Sequence, residues 1–117
     1  MTLGELTARV REFAAARDWE QFHTPKNLAM ALAGEVGELI SELQWLTPEE
    51  ASRVMENPQS AGRMRSELAD VTIYLVRLAD VLGVDLIEAS VAKLAENEHR
   101  FDVERYRGSA AKAPPLS

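Results

Sequence analysis

Two acidic pairs, Glu35-x-x-Glu38 and Glu67-x-x-Asp70, recur thirty-two residues apart in matching apolar surroundings. Leu32, Val36, Leu39 and Leu43 flank the first pair, and Met64, Leu68, Val71 and Leu75 stand at the same offsets around the second. On a helix, residues three apart point about 60° from one another, so each copy sets two carboxylates beside one apolar stripe. If the stripes pack together, four carboxylates converge along one seam. Like charges at that range repel and resist leaving water, so positive charge has to join them. The donor types narrow what carries it. The chain has no cysteine, and neither of its two histidines falls in an acidic repeat, which argues against zinc. Hard carboxylate oxygens suit Mg2+, with Mn2+ as a substitute; Ca2+ accepts the same donors, but here they project from helices rather than from a calcium loop. A di-iron bundle would want Glu-x-x-His on two helices, a spacing His23 and His99 do not supply. Magnesium held by carboxylates commonly engages phosphates, so the chemistry expected is metal-assisted hydrolysis of a phosphoanhydride. The competing reading leaves the acids as solvated helix-edge residues balanced by arginines such as Arg63 and Arg77. Glu42, one turn beyond Glu38, is either a fifth member or a spectator.

The elements that must position these residues are nearly all helical. Thr2-x-x-Glu5 is a capping box opening a helix to about Arg17, with Leu3, Leu6, Val10, Phe13 and Ala14 on one side. A polar and aromatic link from Asp18 to His23 follows. Thr24-Pro25 supplies an N-cap and a proline for a second helix, expected to run to about Trp45 or Leu46. Thr47-Pro48-Glu49-Glu50 starts a short element that Asn57-Pro58 should stop. A third long helix is expected from near Ser60 to Gly83, and Asp85-x-x-Glu88 caps a fourth to about Arg100. The β-prone run Val71–Tyr74 lies inside a helical stripe, where helical period should win. The predicted class is all-α, a four-helix bundle with one short extra helix, as a single domain over 1–107 with a flexible tail over 108–117.

With 117 residues the chain is sized for one modest core, and small domains often gain burial by self-association. Apolar content of 46% against 27% charged is a globular balance. A net charge of −6 disfavours a nucleic-acid partner, which wants a basic face, and an anionic ligand would need cations to mediate. The amino-terminal residues have no signal-like pattern, and no apolar run approaches a membrane span, so the expected location is cytoplasmic.

Several motifs together resemble a known family. Arg17-Asp18-Trp19-Glu20-Gln21-Phe22-His23-Thr24-Pro25-Lys26-Asn27-Leu28, then Gly34-Glu35-Val36-Gly37-Glu38-Leu39, Gln44-Trp45 and Glu67-Leu68-Ala69-Asp70-Val71 resemble the MazG-like all-α nucleoside triphosphate pyrophosphatases, most of all the dCTP pyrophosphatase branch. The likeness covers roughly residues 5 to 108. It implies Mg2+-dependent hydrolysis of a nucleoside triphosphate to the monophosphate and pyrophosphate, dCTP or a base-modified dCTP in a nucleotide house-cleaning role, by a homodimer or a homotetramer built as a dimer of dimers. It implies that Glu35, Glu38, Glu67 and Asp70 hold the metal, and that Trp19, Phe22, His23 and Trp45 form a base pocket. Stacking on a pyrimidine fits such flat side chains, although a tryptophan can equally be core and His23 can cap the next helix. Asn27 resembles a nucleotide-bonding position. Tyr74, one turn past Asp70, would meet sugar or phosphate, or plug the seam. Lys93, Asn97 and Arg100 fall on one helix face and resemble a triphosphate-contacting pattern; the alternative is a solvated face pairing with Glu96 or Glu104. Relatives often continue with Tyr-Pro where this chain has Phe101-Asp102. Rival specificities of the same fold are dUTP, phosphoribosyl-ATP or another nucleoside triphosphate; a rival class is a non-catalytic helical interaction module.

Overall fold

The computed structural model of the chain describes residues 1–113. Every regular element among them is helical: α1 (Leu3–Ala16), α2 (Pro25–Ser41), α3 (Pro48–Ser52), α4 (Pro58–Leu82), α5 (Leu86–Arg100) and α6 (Val103–Tyr106). The four long helices and the short α3 match the all-α expectation, and α6 is an addition. The chain divides into two compact units, Met1–Val84 and a second beginning at Asp85.

Helix starts follow side-chain chemistry closely. Thr2, Thr24, Thr47 and Asp85 each accept a hydrogen bond from the backbone N–H three residues on, and Thr47 with Glu50 completes a reciprocal capping box. Asn57-Pro58 does not stop the preceding element, which ends at Ser52, but opens the next one. The Asn57 side chain accepts from the amides of Gln59 and Ser60, and Pro58 occupies the first turn, so α4 begins there rather than near Ser60. Its other end is Gly83, whose φ of 71° is the left-handed conformation that terminates helices cheaply only at glycine.

Two ends differ from expectation for stated reasons. α2 stops at Ser41, because the amides of Glu42 and Leu43 bond three residues back, to Leu39 and Ile40, and the tightened turns run on through Leu46. Trp45 therefore sits in a turn. α3 likewise ends at Ser52, with the Arg53 and Val54 amides bonding three back.

Within the first unit, α2 packs most extensively on α4, and α1 also packs on α4. Leu28 and Val76 are the largest fully buried side chains, joined by Ala14, Ala61, Met64 and Ala79. Only part of the expected seam is covered: Met64 is buried and Leu32, Leu39, Leu43 and Val71 half-buried, but Val36, Leu68 and Leu75 stay exposed. In the second unit α5 carries Lys93, Asn97 and Arg100, and Arg100 donates through Nη2 to the Ala113 carbonyl at 3.1 Å. The end of the expected tail, 114–117, lies outside the described residues.

Candidate functional site

The α2–α4 contact brings the two acidic pairs together. Glu35, Glu38, Glu67 and Asp70 each offer a carboxylate oxygen, and these four atoms all lie within 4.8 Å of one another. Glu38 is exposed and the other three are half-buried. Glu35 Oε2 and Glu67 Oε2 are buried without any hydrogen-bond partner, a costly condition for carboxylate oxygens. Desolvation, then the charges of Glu38 and Asp70, push the Glu35 carboxyl above its ordinary range. Desolvation, then Glu38, does the same to Glu67.

The expected balancing arginines are committed elsewhere. Arg63 Nε donates to Glu42 Oε2 at 3.0 Å, which neutralises Glu42 and makes it a paired neighbour of the cluster. Arg77 turns to Asp80 and His23. Among the described residues, no basic side chain pairs with any of the four clustered acids. The set fits a hard divalent cation: all-oxygen donors, two of them buried and unpartnered, with like charge concentrated at one spot.

A second group lies in the link between α1 and α2. Just beyond the α1 cap, Asp18 turns the chain in the left-handed region at φ 54°, with the Trp19 amide bonding back to Ala14. That turn sets Trp19 edge-on to Phe13, with ring centroids 5.6 Å apart, and 6.3 Å from the His23 ring. Arg17 stacks on the Phe13 ring, its guanidinium carbon 3.7 Å from the centroid. Neither tryptophan is core: Trp19 is 42% exposed and Trp45 86% exposed. Phe22 is 59% exposed. Asn27 Nδ2 donates to the Phe22 carbonyl at 3.0 Å and so braces the link. Thr24, not His23, caps α2. Tyr74 is half-buried on α4.

On α5, Lys93 Nζ meets Glu96 Oε2 at 2.9 Å, the pairing expected of a solvated face. Arg100 holds its guanidinium 5.4 Å from the Phe101 ring centroid. Sequence reasoning passed over a polar network in the first unit that runs from exposed Arg11 to buried Arg77. Arg11 grips both oxygens of Asp80, at 2.8 and 2.6 Å, and Arg77 donates to Asp80 at 3.1 Å and to His23 Nδ1 at 3.0 Å. The spacing Arg77-x-x-Asp80 was a legible signal for half of it.

The MazG-like family profile matches residues 31–113, and the chain belongs to that family, as its motifs led one to expect. Over 115 residues it is 46% identical to dCTP pyrophosphatase 1 of Bos taurus and 44% identical to dCTP pyrophosphatase 1 of Homo sapiens. Each match covers 98% of this chain and 68% of the relative. A crystal structure of a pyrophosphatase from Archaeoglobus fulgidus aligns with a TM-score of 0.79 and 40% identity, covering 85% of this chain and 91% of that one. No helix among the described residues is long and apolar enough to cross a membrane.

Proposed function

We propose that this chain hydrolyses a nucleoside triphosphate, dCTP or a base-modified dCTP, to the monophosphate and pyrophosphate, using Mg2+ or in its place Mn2+. The observation that carries this reading is the convergence of four carboxylates around two buried, unpartnered oxygens. Its choice of nucleotide is supported by 44% to 46% identity to proteins named dCTP pyrophosphatase 1.

Glu35, Glu38, Glu67 and Asp70 are the residues that would hold the cation, which when bound supplies the positive charge that lets a triphosphate approach them. Water adds across the phosphoanhydride and loses a proton. A carboxylate of the four that the cation leaves free would receive it. Trp19, Phe22 and Trp45 offer exposed flat faces for a pyrimidine, with His23 beside Trp19 and Asn27, in the first turn of α2, bonded to the Phe22 carbonyl. Tyr74 lies one turn from Asp70, within reach of the same ligand. The donors of Lys93, Asn97 and Arg100 suit phosphate oxygens.

The working form in this reading is a homodimer or homotetramer. Leu68, Leu75 and Leu82 repeat every seven residues along α4 and all remain exposed in the single chain. A nucleotide-pool enzyme would act in the cytoplasm. The direct test is pyrophosphate release from a panel of nucleotides with and without Mg2+. Release from dCTP, little from ATP, and loss on adding a chelator are expected; no release from any nucleotide at high enzyme concentration would sink the proposal.

A further inference from the structure

Arg77 is the one charged side chain buried among the described residues, at 7% exposure. A buried guanidinium needs partners for its donors, and the network around it supplies them in order. Arg11, from α1, holds Asp80 through Nε at 2.8 Å and Nη2 at 2.6 Å. Asp80 Oδ2 also accepts from Arg77 Nη1 at 3.1 Å, which fixes the guanidinium plane. With its plane fixed, Arg77 aims Nε–H at His23 Nδ1, 3.0 Å away. Three segments distant in sequence are joined in this way: α1, the link and α4.

The consequence for His23 is a matter of proton counting. A guanidinium has only donors and keeps its charge under all conditions in which the protein is folded. The atom facing Nε–H must therefore be a lone-pair nitrogen, so Nδ1 carries no proton. In a neutral imidazole the single proton then sits on Nε2. A second proton could enter only by breaking the Arg77 bond and setting imidazolium against guanidinium. Burial, and then the Arg77 charge, accordingly lower the His23 proton affinity.

We propose that Arg77, anchored by Asp80 and Arg11, is a positioning residue that locks His23 as the neutral Nε2–H tautomer, giving the ring beside Trp19 one N–H donor for an acceptor atom of the nucleobase. The part concerning the base rests on the pocket proposed above. The chemical class recognised is a base edge with a carbonyl oxygen or an unprotonated ring nitrogen, as pyrimidines such as cytosine present. His23 is thereby a reader of bases and not a cationic clamp for phosphate.

The tautomer is read by nitrogen-detected NMR of the full-length chain labelled with 15N, with His23→Gln used to distinguish its signals from those of His99. At neutral pH, His23 should show a pyridine-type Nδ1 and a pyrrole-type Nε2. A proton on Nδ1, or an imidazolium, in the wild-type protein overturns the proposal, and this reading needs no variant to fold. In Arg77→Met the lock is gone, and His23 should become a tautomer mixture that protonates more readily than in the wild type; an unchanged signature also overturns it. With dCTP, Arg77→Met should raise KM about tenfold, the worth of one neutral hydrogen bond, with kcat within about twofold. Arg77→Lys should recover part of that loss. A fall in kcat with KM unmoved would instead place Arg77 in the chemistry and overturn the positioning role. Failure of the enzyme reading would look different: no nucleotide turned over, with the wild-type tautomer as stated.

Discussion

A carboxylate half-buried among three others lowers its energy either by keeping a proton or by gaining a cation. Without a cation, Glu35 and Glu67 lean toward the first solution, and their unpartnered oxygens show how little the protein itself offers them. Charge concentrated in this way comes at some expense to the bare fold. Glu38→Gln and Asp70→Asn should each lower dCTP turnover roughly 10²- to 10³-fold or more while the helical circular-dichroism spectrum is retained. The melting temperature of either variant, measured in chelator, should equal or exceed that of the wild type, because like charge has been removed. A full-rate Asp70→Asn enzyme would take that residue out of the ligand set. These four acids were legible in the chain because helical period and a repeated offset both marked them. The partnership of Arg77 with His23 was not: fifty-four positions separate them, and no local pattern relates a link residue to the buried face of α4.

At the level of elements, starts were legible and some ends were not. Cap residues act through bonds to amides two or three positions on, so Thr2, Thr24, Thr47 and Asp85 announce their helices locally. Asn57-Pro58 is the instructive case, since a dipeptide expected to close one element instead opens the next, the earlier one having already ended at Ser52. The early end of α2 depends on a switch to three-residue hydrogen bonding, for which the sequence before Thr47-Pro48 has no punctuation. Gly34 and Gly37 in α2 raise a separate question. A Cβ at either would meet nothing within 4 Å, so no packing in the single chain requires glycine there. Helix propensity alone then predicts that Gly37→Ala stabilises the chain by about 1 kcal/mol in chemical denaturation. If the variant is stabilised yet loses turnover or assembly, the bare backbone beside Glu38 serves a ligand or a second subunit. Destabilisation would mean the helix surface is already covered.

For the whole molecule, the visible core is thin beside the apolar surface left outside it. Leu68, Leu75 and Leu82 are the clearest case, an exposed stripe at seven-residue spacing. Sedimentation should find an oligomer, and Leu75→Glu should shift it toward monomer; a wild-type monomer at micromolar concentration would remove the stripe as an interface. The Arg11–Asp80–Arg77 network makes a further prediction on stability. Hydrogen bonding by Arg11 holds the Asp80 carboxyl below its ordinary value of 3.8, outweighing the opposing effect of burial. A depressed carboxylate contributes stability that is present above that ordinary value and lost as pH falls through the lower folded value. Asp80→Asn should therefore cost about 3 kcal/mol near neutral pH, and its deficit against wild type should shrink as the pH is taken below 3.8. A deficit constant across that range would assign Asp80 a purely steric role.

Trp45 has one more consequence. Its indole is 86% exposed and lies in the turn that closes α2, one helix end from the acidic rows. Such a ring emits in the red, water-relaxed part of the tryptophan spectrum, and any base laid against it would quench or blue-shift that light. With Trp19 replaced by phenylalanine, the chain carries its own optical gauge of occupancy, one that can be titrated in real time without label or coupled assay.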